Sequence, residues 1–131
     1  DPETQAILVR LESDLVDICE AMIDGKLSSL DVEWQRGSSA CVVLASEGYP
    51  ASPRKGDLIS GVDAAAEVPN VTVFHAGTSG ISDGEYCTSG GRVLGVTALG
   101  ETMDEALETA YSAVAKISWN GMQYRRDIGR T

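Results

Sequence analysis

A chain of 131 residues, 43% apolar and 23% charged, is long enough for one domain with a real core and shows no bias toward disorder. Its net charge of −10 argues against broad nucleic-acid binding, which needs excess positive charge along a face, and disfavours adsorption to anionic membranes. No apolar run approaches the length of a membrane span, no basic-then-apolar leader pattern follows Asp1-Pro2-Glu3, and Cys19, Cys41 and Cys87 lack metal or C-x-x-C spacing, so reduced thiols in a cytosol-like, cytoplasmic setting are expected.

Asp1 is placed to cap a helix with Pro2 at its first position. Leu8, Leu11, Leu15, Ile18 and Met22 recur at steps of three and four, and Gly25 supplies a stop. One amphipathic helix is therefore expected over about residues 2–24, with Asp14, Asp17 and Asp24 outside its seam. A helix that begins where the chain begins suggests a segment cut from a longer protein; a trimmed complete protein is the alternative. Lys26 to Arg36 is loose and polar, with Trp34 anchoring a strand or turn. Ala40 to Ala45 is apolar and rich in β-branched residues, which predicts a buried strand. Gly48-Tyr49-Pro50, Pro53 and Gly56 make a loop. Leu58-Ile59 reads as a short strand, Asp63 to Glu67 as a helical turn and Val71 to Phe74 as a strand. Ser82-Asp83-Gly84 reads as a hairpin turn, with Glu85 to Thr88 returning from it, and Val93 to Leu99 as a further buried strand. Thr102 and Glu105 form a capping box for a last helix. Its apolar face is Met103, Ala106, Leu107, Ala110, Tyr111 and Val114, and it ends near Lys116. Helix, then strands and hairpins, then helix favours an α+β fold with an antiparallel or mixed sheet over a doubly wound parallel one.

Six glycines fall between His75 and Gly95, and Arg92 directly follows Gly90 and Gly91. Glycine lets backbone N–H groups approach a ligand and permits positive φ, and a guanidinium suits phosphate or carboxylate. An acidic chain with local basic spots suits a small anionic ligand better than a polyanion. His75 at a strand end reads either as a ligand contact or as a structural histidine satisfied by backbone. The spacing matches neither a Walker loop nor a dinucleotide fingerprint. Arg54 and Lys55 lie in a loop whose two prolines remove N–H groups that a phosphate cradle needs, which favours a surface loop. Tyr124-Arg125-Arg126-Asp127 either sets guanidinium groups beside an acidic partner or pins the tail by an Arg–Asp pair. A single histidine excludes a His-rich metal site.

Asp1-Pro2-Glu3-Thr4-Gln5, Gly48-Tyr49-Pro50, Phe74-His75-Ala76-Gly77-Thr78, Gly90-Gly91-Arg92-Val93-Leu94 and Tyr124-Arg125-Arg126-Asp127-Ile128-Gly129 occur in this order. Together they resemble the C-terminal portion of the glycinamide ribonucleotide synthetase family, over essentially the whole chain. Asp1-Pro2-Glu3 is similar to the end of that family's Arg-Phe-Gly-Asp-Pro-Glu signature. The resemblance implies part of an ATP-grasp ligase of purine synthesis that joins glycine to phosphoribosylamine with ATP and magnesium. The family's magnesium ligands and ATP-clamping strands lie upstream of the signature, so no cofactor, metal site or independent catalysis is expected of this segment, and its partners would be the missing ATP-grasp lobes. The same resemblance implies that residues 1–25 form the tail helix of the ATP-grasp domain. Residues 26–131 would then form the small β-rich, barrel-sandwich-like lobe that closes over the active site. His75, Gly77, Thr78, Gly90, Gly91 and Arg92 are the expected substrate-binding residues. A stand-alone structural or interaction module is the alternative, although Lys55, with no Met beside it, departs from a carrier-domain lysine.

Overall fold

The computed structural model describes residues 2–82 and 84–129. The elements run α1 (Glu3–Leu8), α2 (Leu15–Ile23), a 3₁₀ turn (Leu27–Ser29), β1 (Ser38–Ala45), β2 (Leu58–Ile59), α3 (Val62–Ala66), β3 (Val71–His75), β4 (Thr78–Ser82), β5 (Glu85–Thr88), β6 (Arg92–Gly100) and α4 (Met103–Val114). The expected Asp1 cap and Asp83 of the hairpin turn lie outside the described residues. The fold is α+β, and both sheets are antiparallel: β1-β6-β3 and β2-β5-β4.

The strand expected at Val93 to Leu99 is the centre of the first sheet. Every residue from Val93 to Ala98 is buried, because β1 and β3 flank it and its two faces are both covered. Register places Leu44 opposite Leu94, Val42 opposite Val96 and Ala40 opposite Ala98. These alternate residues share one face. Leu44, Leu94, Val42, Val96 and Ala98 pack with Ala110, Ala113 and Val114 of α4 into one cluster. Alanine at these helix positions lets α4 lie close to the sheet. The α4 cap is built as expected: Thr102 Oγ1 accepts from Glu105 N at 3.2 Å. The Glu105 carboxylate reaches back one residue further than expected, to Glu101 N at 3.0 Å. Met103, expected on the apolar face, is 43% exposed, and Ala113 takes a buried place instead.

The single helix expected over residues 2–24 is instead two. The chain leaves α1 at Val9 and Arg10, and Leu11 forms a β-bridge with Trp34. Gln35 N donates to Arg10 O at 2.7 Å, and Ser13 Oγ accepts from Glu33 N at 2.8 Å. Asp14 then caps α2, accepting from Val16 N at 2.7 Å. Pairing with residues 33–35 outcompetes helical continuity, and Ser13-Asp14 supplies a new start. The stop at Gly25 holds, with φ at +67°. Neither α1 nor α2 contributes a buried residue; Val16, Met22 and Ile23 are 62%, 60% and 85% exposed.

The two sheets meet where the β3–β4 turn touches the β5–β6 turn. Ala76 N donates to Val93 O and Gly77 N to Arg92 O, each at 2.9 Å, and Ser89 N donates to Gly77 O at 2.8 Å. A Cβ on Gly77 would stand 2.7 Å from both Arg92 O and Gly90 Cα. Gly77, Gly90 and Gly91 are not among the positive-φ glycines. Glycine is required at 77 by this backbone contact rather than by handedness.

Gly77→Ala should therefore cost about 1–3 kcal/mol by forcing backbone apart, whereas Gly80→Ala, with nothing within 4 Å of its Cβ position, should stay within about 0.5 kcal/mol. Leu44→Ala, in the fully buried cluster, should cost about 3 kcal/mol. Urea denaturation of the three variants checks the ranking.

Candidate functional site

The sheet ends built above bring three separated segments to one place. After β1 the chain turns at Ser46 into the loop that holds Tyr49. β5 leads through Gly90 and Gly91 into Arg92. The tail returns beside β1, where Ala45 and Gln123 exchange hydrogen bonds at 2.8 and 2.9 Å. Between them lies a cleft of about 500 Å³, whose wall includes Pro2, Cys41, Tyr49, Arg92, Tyr124 and Arg125. Among the described residues its charged lining is Arg92 and Arg125, in a chain whose net charge is −10.

Each wall is held by identifiable contacts. The Tyr49 ring lies against Gly91 so closely that a Cβ there would fall 2.2 Å from its Cδ2. Tyr111 on α4 donates its hydroxyl hydrogen to Arg125 O at 2.9 Å and accepts from Ile128 N at 3.2 Å, which fastens the tail. Arg125 pairs bidentately with Asp127 at 2.9 and 2.8 Å. Hydrogen bonds from that guanidinium hold the Asp127 carboxyl below the usual carboxylate range. The tail-pinning reading of Tyr124 to Asp127 is thus realised, and Arg126 lies 5.5 Å from the Tyr124 ring. Cys41 faces the cleft; burial pushes its thiol up, partly offset by the Thr97 hydroxyl. Thr97 stands opposite Cys41 in the strand register, and its buried Oγ1 has no hydrogen-bond partner among the described residues.

The expected site residues separate into two tiers. Arg92 lines the cleft, and Gly91 seats the Tyr49 ring that lines it. His75, Gly77, Thr78 and Gly90 are not among the cleft's described lining residues, and His75 is exposed. His75 Nδ1 lies 2.9 Å from Thr78 Oγ1, and its ring is 4.5 Å from the Tyr86 ring. The surfaces bared by glycine at 77 and 91 are covered by Gly90 and by Tyr49, the chain's own atoms. Tyr49, Tyr124 and Gln123 were not singled out as site residues; Tyr49 and Tyr124 lie within the motif strings, but only tertiary structure shows that they converge. Arg54 is committed elsewhere, to Asp57 at 2.8 and 3.1 Å, to Glu47, and to Asn120 O at 2.7 Å, which makes its loop structural.

Among the described residues no helix is long and apolar enough to cross a membrane. Residues 39–131 match the phosphoribosylglycinamide synthetase C domain. The chain is 54% identical over 128 residues to a phosphoribosylamine–glycine ligase of Neisseria meningitidis, covering 98% of this chain and 30% of that protein. It is 49% identical over 130 residues to the chloroplastic phosphoribosylamine–glycine ligase of Arabidopsis thaliana, covering 98% of this chain and 24% of that one. The crystal structure of phosphoribosylamine–glycine ligase from Thermotoga maritima superposes with a TM-score of 0.73 at 35% identity, over 97% of this chain and 30% of that one. The chain thus spans about a third or less of the length of these relatives. By the match over residues 39–131 and these identities, the chain belongs to the phosphoribosylglycinamide synthetase C-domain family.

Proposed function

We propose that this chain is the C-terminal lobe of a phosphoribosylamine–glycine ligase, and that its cleft helps hold the ribonucleotide. The ligase would join glycine to phosphoribosylamine, consuming ATP and giving glycinamide ribonucleotide, ADP and phosphate in the cytoplasm. Residues 1–25 would belong to the tail of the ATP-grasp domain, as two helices rather than one, and residues 26–131 to the lobe that closes over the active site. The observation that carries this reading is the cleft itself. Pro2, Tyr49, Arg92, Tyr124 and Arg125, from four of the five motif strings, line it, and its charged lining groups among the described residues are arginines. The fifth string reaches it through the Gly77 N–H bond to Arg92 O.

A guanidinium presents parallel N–H donors that match a phosphate, and tyrosine hydroxyls add neutral donors around it. Holding the sugar phosphate at this wall would fix the ribosyl amine relative to an activated glycine, so that reaction loses less orientational entropy at the transition state. Among the described residues no group of three His, Cys, Asp or Glu side chains converges. The described charged lining of the cleft, two arginines, does not suit magnesium, which we assign with ATP to the preceding domain. A carrier-type module is the weaker reading: Lys55 adjoins the Arg54 that ties down its loop, rather than crowning the β4–β5 hairpin.

In the full-length ligase, Arg92→Ala should raise KM for phosphoribosylamine about ten- to a hundredfold while leaving KM for ATP nearly unchanged. Equal changes, or none, in steady-state kinetics would count against the reading. The domain assignment is tested separately. Ile23→Asp should lower Tm in the full-length protein, where α2 would meet the preceding domain, and leave Tm of the 131-residue chain unchanged. Equal shifts in both would defeat it.

A further inference from the structure

We infer that Ser46 is a positioning residue for the cleft, acting through the Gly90–Arg92 turn and through Tyr49; this rests on the reading of the cleft as a ribonucleotide-phosphate site. Ser46 is fully buried and stands just beyond β1. The β1–β6 register slips there: Leu44 faces Leu94, but Ala45 faces Arg92. A bulge of this kind re-aims the strand beside it. Ser46 then holds the re-aimed strand at both adjoining peptides. Its backbone N donates to Gly91 O at 2.9 Å, and its Oγ donates to Gly90 O at 2.9 Å. Its own carbonyl accepts from Tyr49 N at 3.2 Å. One residue thereby joins the two cleft walls, the Arg92 wall and the Tyr49 wall.

The chemistry explains why such a clamp matters at this place. Two successive glycines have the widest backbone freedom of any dipeptide, so the direction in which Arg92 leaves the turn is not set locally. Binding both glycine carbonyls to one buried residue fixes both peptide planes. The Tyr49 ring, pressed on Gly91, closes the same turn from the other side. Loss of the Ser46 hydroxyl leaves Gly90 O without this donor and lets its peptide plane rotate.

The test is a double-mutant cycle in the full-length ligase, with Tm recorded for each variant. Ser46→Ala should raise KM for phosphoribosylamine about fivefold, with kcat and the KM values for ATP and glycine within about twofold of wild type. Because Ser46 acts through Arg92, Ser46→Ala should add less than about twofold on an Arg92→Ala background. Val114→Ala, in the α4 core, serves as the stability control: it should lower Tm and leave KM unchanged. Should the alanine variant not fold, Ser46→Cys keeps a weak donor on the same branch, and its KM should lie between those of wild type and Arg92→Ala. Effects of Ser46→Ala and Arg92→Ala that simply multiply, or a comparable rise in all three KM values for Ser46→Ala, overturn the clamp. If Arg92→Ala raises KM and neither Ser46 variant does, the clamp alone falls. If Arg92→Ala is silent, the ribonucleotide reading falls and the clamp with it.

Discussion

The close passage of Gly77 against Gly90 and Arg92 is the contact from which the rest of the lobe takes its geometry. Each sheet has only three strands, and small isolated sheets are marginal unless something covers or joins them. Here the β3–β4 and β5–β6 turns are stitched by backbone hydrogen bonds from Ala76, Gly77 and Ser89. That junction sets the height at which β6 begins. It therefore sets where Arg92 stands relative to the loop after β1 and to the returning tail. A side chain at residue 77 would wedge the sheets apart at the point where the cleft wall is anchored.

Periodicity made the interior legible and left the periphery obscure. β1, β2, β3, β5, β6 and α4 follow from apolar runs, turn residues and a capping box, because burial against neighbouring elements rewards those patterns directly. The break between α1 and α2 does not. Its apolar spacing is helical throughout, yet Leu11 pairs with Trp34, a contact across 23 residues that no local pattern encodes. Asp14, which the apolar spacing places outside the helix seam, caps α2 instead, because the same residue type serves both on a solvated helix face and at a helix start. The glycines show the same limit in another form. Their density around His75 to Gly95 meets the cleft only in part: Arg92 lines it and Gly91 borders it through Tyr49, whereas His75, Gly77, Thr78 and Gly90 are not among its described lining residues. The reason differs: at 77 and 91 glycine admits another part of the same chain. Ser46 carried no signal at all, since a serine after an apolar strand is ordinary.

Charge is used economically in this acidic chain. Arg54 is spent on Asp57, Glu47 and Asn120, and Arg125 on Asp127, so most of the conspicuous basic spots are internal ties. These exposed pairs contribute little stability individually. Their value is directional: Arg54 binds the loop that begins at Gly48 to the segment before the tail, and Arg125 shapes the tail that Tyr111 fastens to α4. The Arg125 tie borders the cleft. Among the described residues the charged lining of the cleft is Arg92 and Arg125, and a small ligand senses such nearby charges more than distant, screened ones.

The helices before residue 25 pose the opposite problem, apolar surface without a partner. Scattered exposed apolar residues need no explanation, but Leu15, Val16, Met22 and Ile23 lie on one nine-residue helix that buries nothing. An isolated helix of this length is marginal in water. Asp14 and the stop at Gly25 define its ends, yet caps contribute only about 1 kcal/mol each. Its apolar residues would gain about 25 cal/mol for each Å² removed from water. The match to the C-domain family begins at residue 39, beyond both helices. The buried core of the described residues thus lies within the part the family defines, while most of the large exposed apolar residues lie before it. That division is in keeping with the proposal that these helices meet a preceding domain: Leu11 and Trp34 tie one end to the lobe, and the exposed apolar residues of α2 would face the second surface.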